Sequence, residues 1–300
     1  GIYNSMGDSF TPLYFLIGSS VGNVILDYIF VAKLGMGVRG AAWATFLAQG
    51  IAGILSMIGL WTRINKLFGK EMKASKWFDK VSFRQLVTMA IPSIIQQIVI
   101  SVGNMFIQAF VNGYDYSVVA GYTAGTKINA FAIVSCVTLG NSMSTYTGQN
   151  VGARKFDRVK KGLIYNMLIS GIISGVLAVT FFVFAPQLIN MFMDSDATEL
   201  ARSTGVDFLR IVSVFYIVMA VRFSSDGALR GLGRMNLFMI STVLDLVLKT
   251  VFSYILMKPF GANGIWYAHP VGWIIGGAMS LAFYLYSIKH IDSRVGHTKA

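Results

Sequence analysis

The fold class that the sequence predicts is an all-α polytopic membrane protein, and three observations carry it. Of 300 residues, 55% are hydrophobic and only 13% charged, with a mean hydropathy of +0.62, far from a soluble globular average. Apolar runs of about 20 residues, the length that spans a hydrocarbon core, recur along the chain. The alternating pattern of an outer-membrane barrel, in segments of about ten residues, does not occur.

Eight complete spans are expected, at roughly 10–32, 40–61, 84–112, 117–147, 159–185, 200–226, 236–257 and 263–288. The first holds Asn23-Val24-Ile25-Leu26-Asp27, where Asp27 is the only formal charge between Phe10 and Val31. An ionised carboxylate at the bilayer centre costs about 2.5–3.5 kcal/mol, so its default reading is a functional group facing the protein interior. Helical spacing puts the Asn23 amide on the same face. A helix-end aspartate reaching the outer interface is the alternative. The third span, after Pro92, carries Gln97, Ser101, Asn104 and Gln108 on one face, and the fourth carries Thr138, Asn141 and Thr145. Such stripes face the bundle or a water-filled cavity, and hydrogen bonding between helices would satisfy them equally well. Lys127 and Arg222 lie within spans and are expected to point inward. Asp245 and Lys249, one turn apart in the seventh span, read as a pair that neutralises itself within its own helix. The 15 Met and 22 Phe would suit a soft cavity wall, although lipid-facing positions account for most of them.

The loops alternate in charge. Residues 62–84 hold Arg63, Lys66, Lys70, Lys73, Lys76, Lys80 and Arg84, and the next loop has Asp115 alone. Arg154, Lys155, Arg158, Lys160 and Lys161 follow, then Asp194, Asp196 and Glu199, then Arg230 and Arg234, then Lys258, and finally Lys289, Arg294 and Lys299. Basic excess on every second loop places those loops and the C-terminus in the cytoplasm of a cell-membrane protein; the loop near Lys33 and Arg39 departs mildly from the pattern. Positive-inside topology also accounts for the net charge of +12. Nucleic acid is not expected as a partner, because no aromatic interleaving or base-reading motif accompanies the basic residues. Cys136 is the only cysteine, which excludes disulfides, and His269, His290 and His297 are scattered. No metal set or cofactor is expected.

The chain repeats itself. Gly1–Gly7 aligns with Gly227–Gly233, Gly35 then falls on Gly261, and after a two-residue gap Gly40-Ala-Ala-Trp-Ala44 falls on Gly264-Ile-Trp-Tyr-Ala268. Both copies run in the same direction, as in two-halved transporters with parallel repeats. At constant spacing Ser253 stands opposite Asp27 and Lys249 opposite Asn23, so only one copy keeps an unpaired carboxylate. About four spans (84–226) precede the second copy, so roughly 140 residues are expected upstream of the first, giving twelve spans in two six-helix lobes.

Tyr146-Thr-Gly-Gln-Asn-Val-Gly-Ala-Arg-Lys155 closes the fourth span. Gly148 and Gly152 allow a tight turn there, and Gln149 and Asn150 can cap helix-end groups. This segment resembles a conserved segment of the multidrug and toxic compound extrusion (MATE) family. Gly7-Asp8-Ser9-x-Thr11-Pro12-Leu13, Asn23-x-x-x-Asp27, Gly37-x-x-Gly40-Ala41-Ala42-x-Ala44-Thr45 and Gly227-x-Leu229-Arg230-Gly231-x-Gly233 resemble further landmarks of that family.

The resemblance implies a MATE-like two-lobed bundle. Residues 1–63 would end the N-terminal lobe as its fifth and sixth helices, 64–83 would form a cytoplasmic basic linker, and 84–300 would form the C-terminal lobe with its tail. It implies a secondary antiporter, not an enzyme, that exports organic cations in exchange for H⁺ or Na⁺ and is expected to act as a monomer. Asn23, Asp27 and Thr45 fall on the family's cation-coupling positions, while a further aspartate of the first helix lies outside the sequence. Carboxylates that other members carry in the C-terminal lobe fall near Ile100 and Met219; Tyr216 does fit the family pattern. Cavity candidates are Gln97, Ser101, Asn104, Gln108, Asn141 and Tyr216. A flippase for a lipid-linked saccharide is the alternative, and it would call for Lys127, Arg222 and Lys249 together in a central cavity. An intramembrane enzyme would need clustered aspartates or a paired catalytic set, and neither pattern occurs. No Gly-x-x-x-x-Gly-Lys-[Ser/Thr] loop supports ATP drive.

Overall fold

The computed structural model describes residues 2–68 and 78–296. Lys70, Lys73 and Lys76 of the expected linker lie outside the described residues, as do His297 and Lys299. The chain forms two units, residues 1–80 and 81–300.

In the first unit a short turn of helix, α1 (Ile2–Ser5), precedes α2 (Phe10–Asp27), which continues as a π-helical turn over Tyr28–Lys33 and is followed by α3 (Gly37–Phe68). Asp8 starts α2. Its Oδ1 accepts from the backbone N–H of Phe10 (3.1 Å) and Thr11 (3.0 Å), and its Oδ2 accepts from Thr11 Oγ1 at 2.7 Å. Arg63 of α3 donates to the same carboxylate. The Thr11 hydrogen bonds foremost, then the guanidinium, hold the Asp8 carboxyl below its ordinary value of 3.8. A lowered pKa contributes stability above the unfolded-state value, and that contribution disappears as pH falls through the folded value. Thermal unfolding across the acid range is therefore expected to fall less steeply with pH in Asp8→Asn than in the wild type; parallel curves would count against the cap.

The second unit runs α4 (Lys80–Asn112), α5 (Tyr116–Gly152), α6 (Phe156–Val183), the short α7 (Ala185–Met191), α8 (Glu199–Ser213), α9 (Tyr216–Gly231), α10 (Met235–Phe260) and α11 (Ala262–Gly296). Among the described residues six helices are long and apolar enough to cross a membrane, and α8 with α9 makes a seventh if that pair, bent by 56°, is one span. The chain is a multi-pass membrane protein. Each expected span falls on helix, but α5, which holds the fourth, is not among the six that are long and apolar enough. The span at 200–226 is broken at Val214–Phe215, and the third, expected over 84–112, passes through Pro92 as one continuous helix. Proline is tolerated in membrane helices because neighbouring groups re-satisfy the freed carbonyl.

The repeat has a backbone counterpart. Gly7 and Gly233 adopt φ of +78° and +72°, and Gly35 and Gly261 adopt +64° and +58°, a region that favours glycine. The two-residue gap lies in the turn: Leu34–Met36 separate the helices of the first copy, where Gly261 alone separates α10 from α11. A Cβ at Gly40 would stand 3.0 Å from the Phe30 carbonyl oxygen, and one at Gly264 would collide with the carbonyl of Leu256, the repeat partner of Phe30. Close backbone contact across this corner is thus a shared device.

Glycines also set the α5–α9 contact. A Cβ at Gly140 would lie 2.6 Å from the Phe223 carbonyl oxygen, one at Gly227 would collide with Gly140 itself, and one at Gly231 would lie 2.5 Å from the Ser144 carbonyl oxygen. Small residues let helix backbones approach where apolar burial gives no drive in lipid. The segment closing α5 therefore meets the Gly227–Gly233 segment, and its polar residues turn the chain: Asn150 Nδ2 donates to the Tyr146 carbonyl at 2.8 Å, and Lys155 N–H to the Asn150 carbonyl at 2.8 Å. Towards the other end of α5 an aromatic core joins Tyr122, stacked on Trp266 at 4.7 Å, with Phe208 against both.

Candidate functional site

Two clusters of polar groups stand out within the spans, one in each unit. In the first, helical spacing brings Asn23 of α2 towards Thr45 of α3, and Asn23 Nδ2 donates to Thr45 Oγ1 at 3.3 Å. Thr45 Oγ1 in turn donates to the Ala41 carbonyl at 3.0 Å. Asp27, one turn beyond Asn23, is half-buried, and its Oδ1 is buried with no hydrogen-bond partner among the described residues. A buried acceptor without a donor carries a desolvation cost of about 1–3 kcal/mol, more when charged. A proton or an oxygen-seeking cation would relieve it. Asn23 Oδ1 and the free lone pair of Thr45 Oγ1 are oxygens of the type that hard cations take.

The repeat puts different chemistry at the corresponding positions of the second unit. Lys249 replaces Asn23 and Ser253 replaces Asp27, and beyond the gap His269 stands where Thr45 does. The backbone link survives: His269 Nδ1 lies 3.1 Å from the carbonyl of Ile265, the counterpart of Ala41. Ser253 Oγ is buried without a partner among the described residues, as Asp27 Oδ1 is, but a hydroxyl carries no charge to exchange.

The second gathering lies on α9, α10 and α11. Arg222 is buried and reaches Asp245 Oδ2 with Nη1 at 2.8 Å and Asp226 Oδ2 with Nε at 3.7 Å. Ser280 Oγ donates to Asp226 Oδ1 at 2.5 Å. Glycines of α11 make room for this: a Cβ at Gly276 would lie 3.0 Å from Asp245 Cβ, and one at Gly277 would lie 3.2 Å from Arg222 Cβ. The expected self-neutralising pair of Asp245 with Lys249 is therefore corrected. Asp245 pairs across helices with Arg222, and no carboxylate comes within ion-pair distance of Lys249 among the described residues. Asp226 was not singled out from the sequence, although it stands one helical turn after Arg222, the spacing that brings opposite charges together. Lys127 is exposed on α5, on the same side as Phe131, Val134, Thr138 and Asn141.

Gln97, Ser101, Asn104 and Gln108 are all exposed on α4, on a face beside the one that holds buried Gln96, Gly103, Ile107 and Val111. Gln108 Nε2 donates to Asn112 Oδ1 of its own helix at 2.8 Å. Thr138 and Thr145 of α5 donate to the carbonyls of Val134 (2.8 Å) and Asn141 (3.3 Å), again within one helix. Asn141 is exposed. Tyr216 differs from the other cavity candidates: it is fully buried, and its hydroxyl donates to Asn129 Oδ1 at 2.8 Å.

A family model described as MatE matches residues 92–255. A probable multidrug resistance protein, YpnP, of Bacillus subtilis (strain 168) is 28% identical over 289 residues, covering 95% of this chain and 63% of its own length. A probable multidrug resistance protein, NorM, of Thermotoga maritima is 25% identical over 293 residues, covering 93% of this chain and 60% of its own length. A solved structure, a crystal structure of MATE in complex with MaL6, superposes with a TM-score of 0.83 at 21% identity, over 93% of this chain and 63% of that one. The chain thus spans under two thirds of the length of each of these relatives.

Proposed function

The chain belongs to the MATE family, and from that premise we propose that it serves a secondary active antiporter that exports organic cations, including xenobiotics, in exchange for inward H⁺ or Na⁺. The first unit then supplies the fifth and sixth helices of a twelve-helix plan, and the second supplies the six helices of the C-terminal lobe. The basic stretch at 64–83 serves as a cytoplasmic linker, and the basic loops place the C-terminus on the cytoplasmic side of a cell membrane. The transporter works as a monomer.

The observation that carries this reading is the unpartnered Oδ1 of Asp27 beside the Asn23–Thr45 hydrogen bond. An ion from outside binds or protonates Asp27 and favours the conformation that releases drug. Exchange needs the carboxylate's affinity to change between states, which desolvation and an arriving cation do in opposite directions. The second unit has no equivalent carboxylate, so coupling runs through one site. Exposed Gln97, Ser101, Asn104 and Asn141 form a polar wall for the substrate cavity, since among the described residues no bond to a neighbouring helix takes up their side chains. Buried Tyr216 positions α9 against α5 through Asn129 behind that wall. A flippase for a lipid-linked saccharide is not favoured, because Arg222 is buried and neutralised by two aspartates and so offers no cavity charge to an anionic head group. The test uses the complete protein in liposomes loaded with ethidium. Efflux is expected to follow an imposed proton or sodium gradient and to stop when an ionophore collapses it. Efflux indifferent to both gradients would reject antiport.

A further inference from the structure

Two cavities stand at corresponding places in the repeat. One, of about 570 Å³, is lined in the first unit by Tyr3, Thr11, Gly59, Thr62, Arg63 and Lys66. The other, of about 580 Å³, lies in the second unit among the starts of α4 and α10 and the last part of α11. The repeat sets Leu237 opposite Thr11 and Tyr286 opposite Thr62, so the two cavities occupy the same corner of each copy.

Their electrostatics differ. In the first unit the Asp8 carboxylate caps α2 and pairs with Arg63. At the position of Asp8 the second copy has Arg234. No side chain caps α10 there, and its first turn contains no acidic residue. The first N–H groups of a helix have no intrahelical acceptor and carry a partial positive charge. Arg84 of α4 lines the same cavity, with Arg234, Asn236 and Tyr286, and no carboxylate lines it. Neither arginine is ion-paired with a carboxylate among the described residues. Where the first copy holds a built-in anion, the second therefore presents two guanidiniums, open backbone donors and neutral hydrogen-bonding side chains.

We propose that this cavity is a binding site for a phosphate group, held at the place that Asp8 marks in the first copy. Planar guanidiniums and a helix N-terminus are both suited to phosphate oxygens. Met89, Met235 and Leu237 line the same cavity, so a phosphate diester carrying an apolar tail also fits. Basic pockets between transmembrane helices on the cytoplasmic side are the kind that bind anionic lipid headgroups. The phosphate can come from such a headgroup or from free phosphate, and the experiment separates the two.

The complete protein in detergent is titrated with short-chain phosphatidylglycerol, with phosphatidylcholine and with inorganic phosphate, and binding is followed by thermal shift. The deciding variant is Arg234→Asp, which rebuilds the first copy's capping carboxylate and so should fold at least as well as the wild type. Phosphatidylglycerol is expected to bind the wild type at least about tenfold more tightly than phosphatidylcholine, and Arg234→Asp is expected to lose that preference. Arg84→Lys should keep most of the binding, and Arg84→Gln should weaken it. Binding of inorganic phosphate that Arg234→Asp abolishes, without a preference for phosphatidylglycerol, would support the site with a soluble source. Equal binding of every probe by the wild type and Arg234→Asp would overturn the proposal.

Discussion

Asp27→Asn is expected to leave the protein folded and able to bind ethidium while abolishing gradient-driven export. The amide has the shape of the carboxylate but can neither take up a proton nor offer a negative charge to a cation. It should also relieve the cost of the orphaned Oδ1, since an amide pays less than a carboxylate for a missing partner. Stability should therefore hold or rise while function falls, a split that a purely structural role would not produce. Coupling between linked sites is typically about 1–3 kcal/mol, and with its one site removed that coupling, and with it accumulation against a gradient, should disappear. Asp27→Glu keeps the charge and should retain part of the activity. Unchanged gradient-dependent export in Asp27→Asn would reject Asp27 as the coupling group.

Arg222→Met carries the second large effect, on stability. Removing the guanidinium leaves Asp226 and Asp245 buried near one another with no counter-charge from Arg222, and breaking a buried pair from one side typically costs about 3–5 kcal/mol. The triple variant Arg222→Met, Asp226→Asn, Asp245→Asn removes all three charges together and should recover most of that loss. Thermal unfolding of the detergent-solubilised complete protein checks both. A single variant as stable as the wild type would mean that the cluster is not a closed network. Export by the triple variant is expected to remain gradient-dependent, because the cluster lies outside the proposed coupling set.

Much of this was legible in the sequence, and the reasons are local. Span length and apolarity located the helices because lipid leaves a backbone few alternatives. Helical spacing placed Asn23 with Asp27, and the repeat set Gly7 against Gly233 and Gly35 against Gly261, where matching positive φ values appear. What was not legible depends on contacts between helices. Spacing along α10 gave Asp245 to Lys249, but the stronger partner, Arg222, comes from α9 through a gap that Gly276 and Gly277 open. Periodicity alone could not tell whether Thr138 and Thr145 bond to a neighbour or to their own helix; they do the latter. Nor did it reveal the bend at Val214–Phe215, since no proline marks that break. Arg234 read only as a cytoplasmic basic residue until the Asp8 cap gave its position a meaning.

The most direct test of the central claim is to measure ion release on drug addition in liposomes that hold the complete protein with no imposed gradient. Ethidium moving in one direction should drive H⁺ or Na⁺ in the other, recorded with a pH- or sodium-sensitive dye, and the signal should vanish in Asp27→Asn. Ethidium movement through the wild type without any counter-flow of either ion would contradict the account.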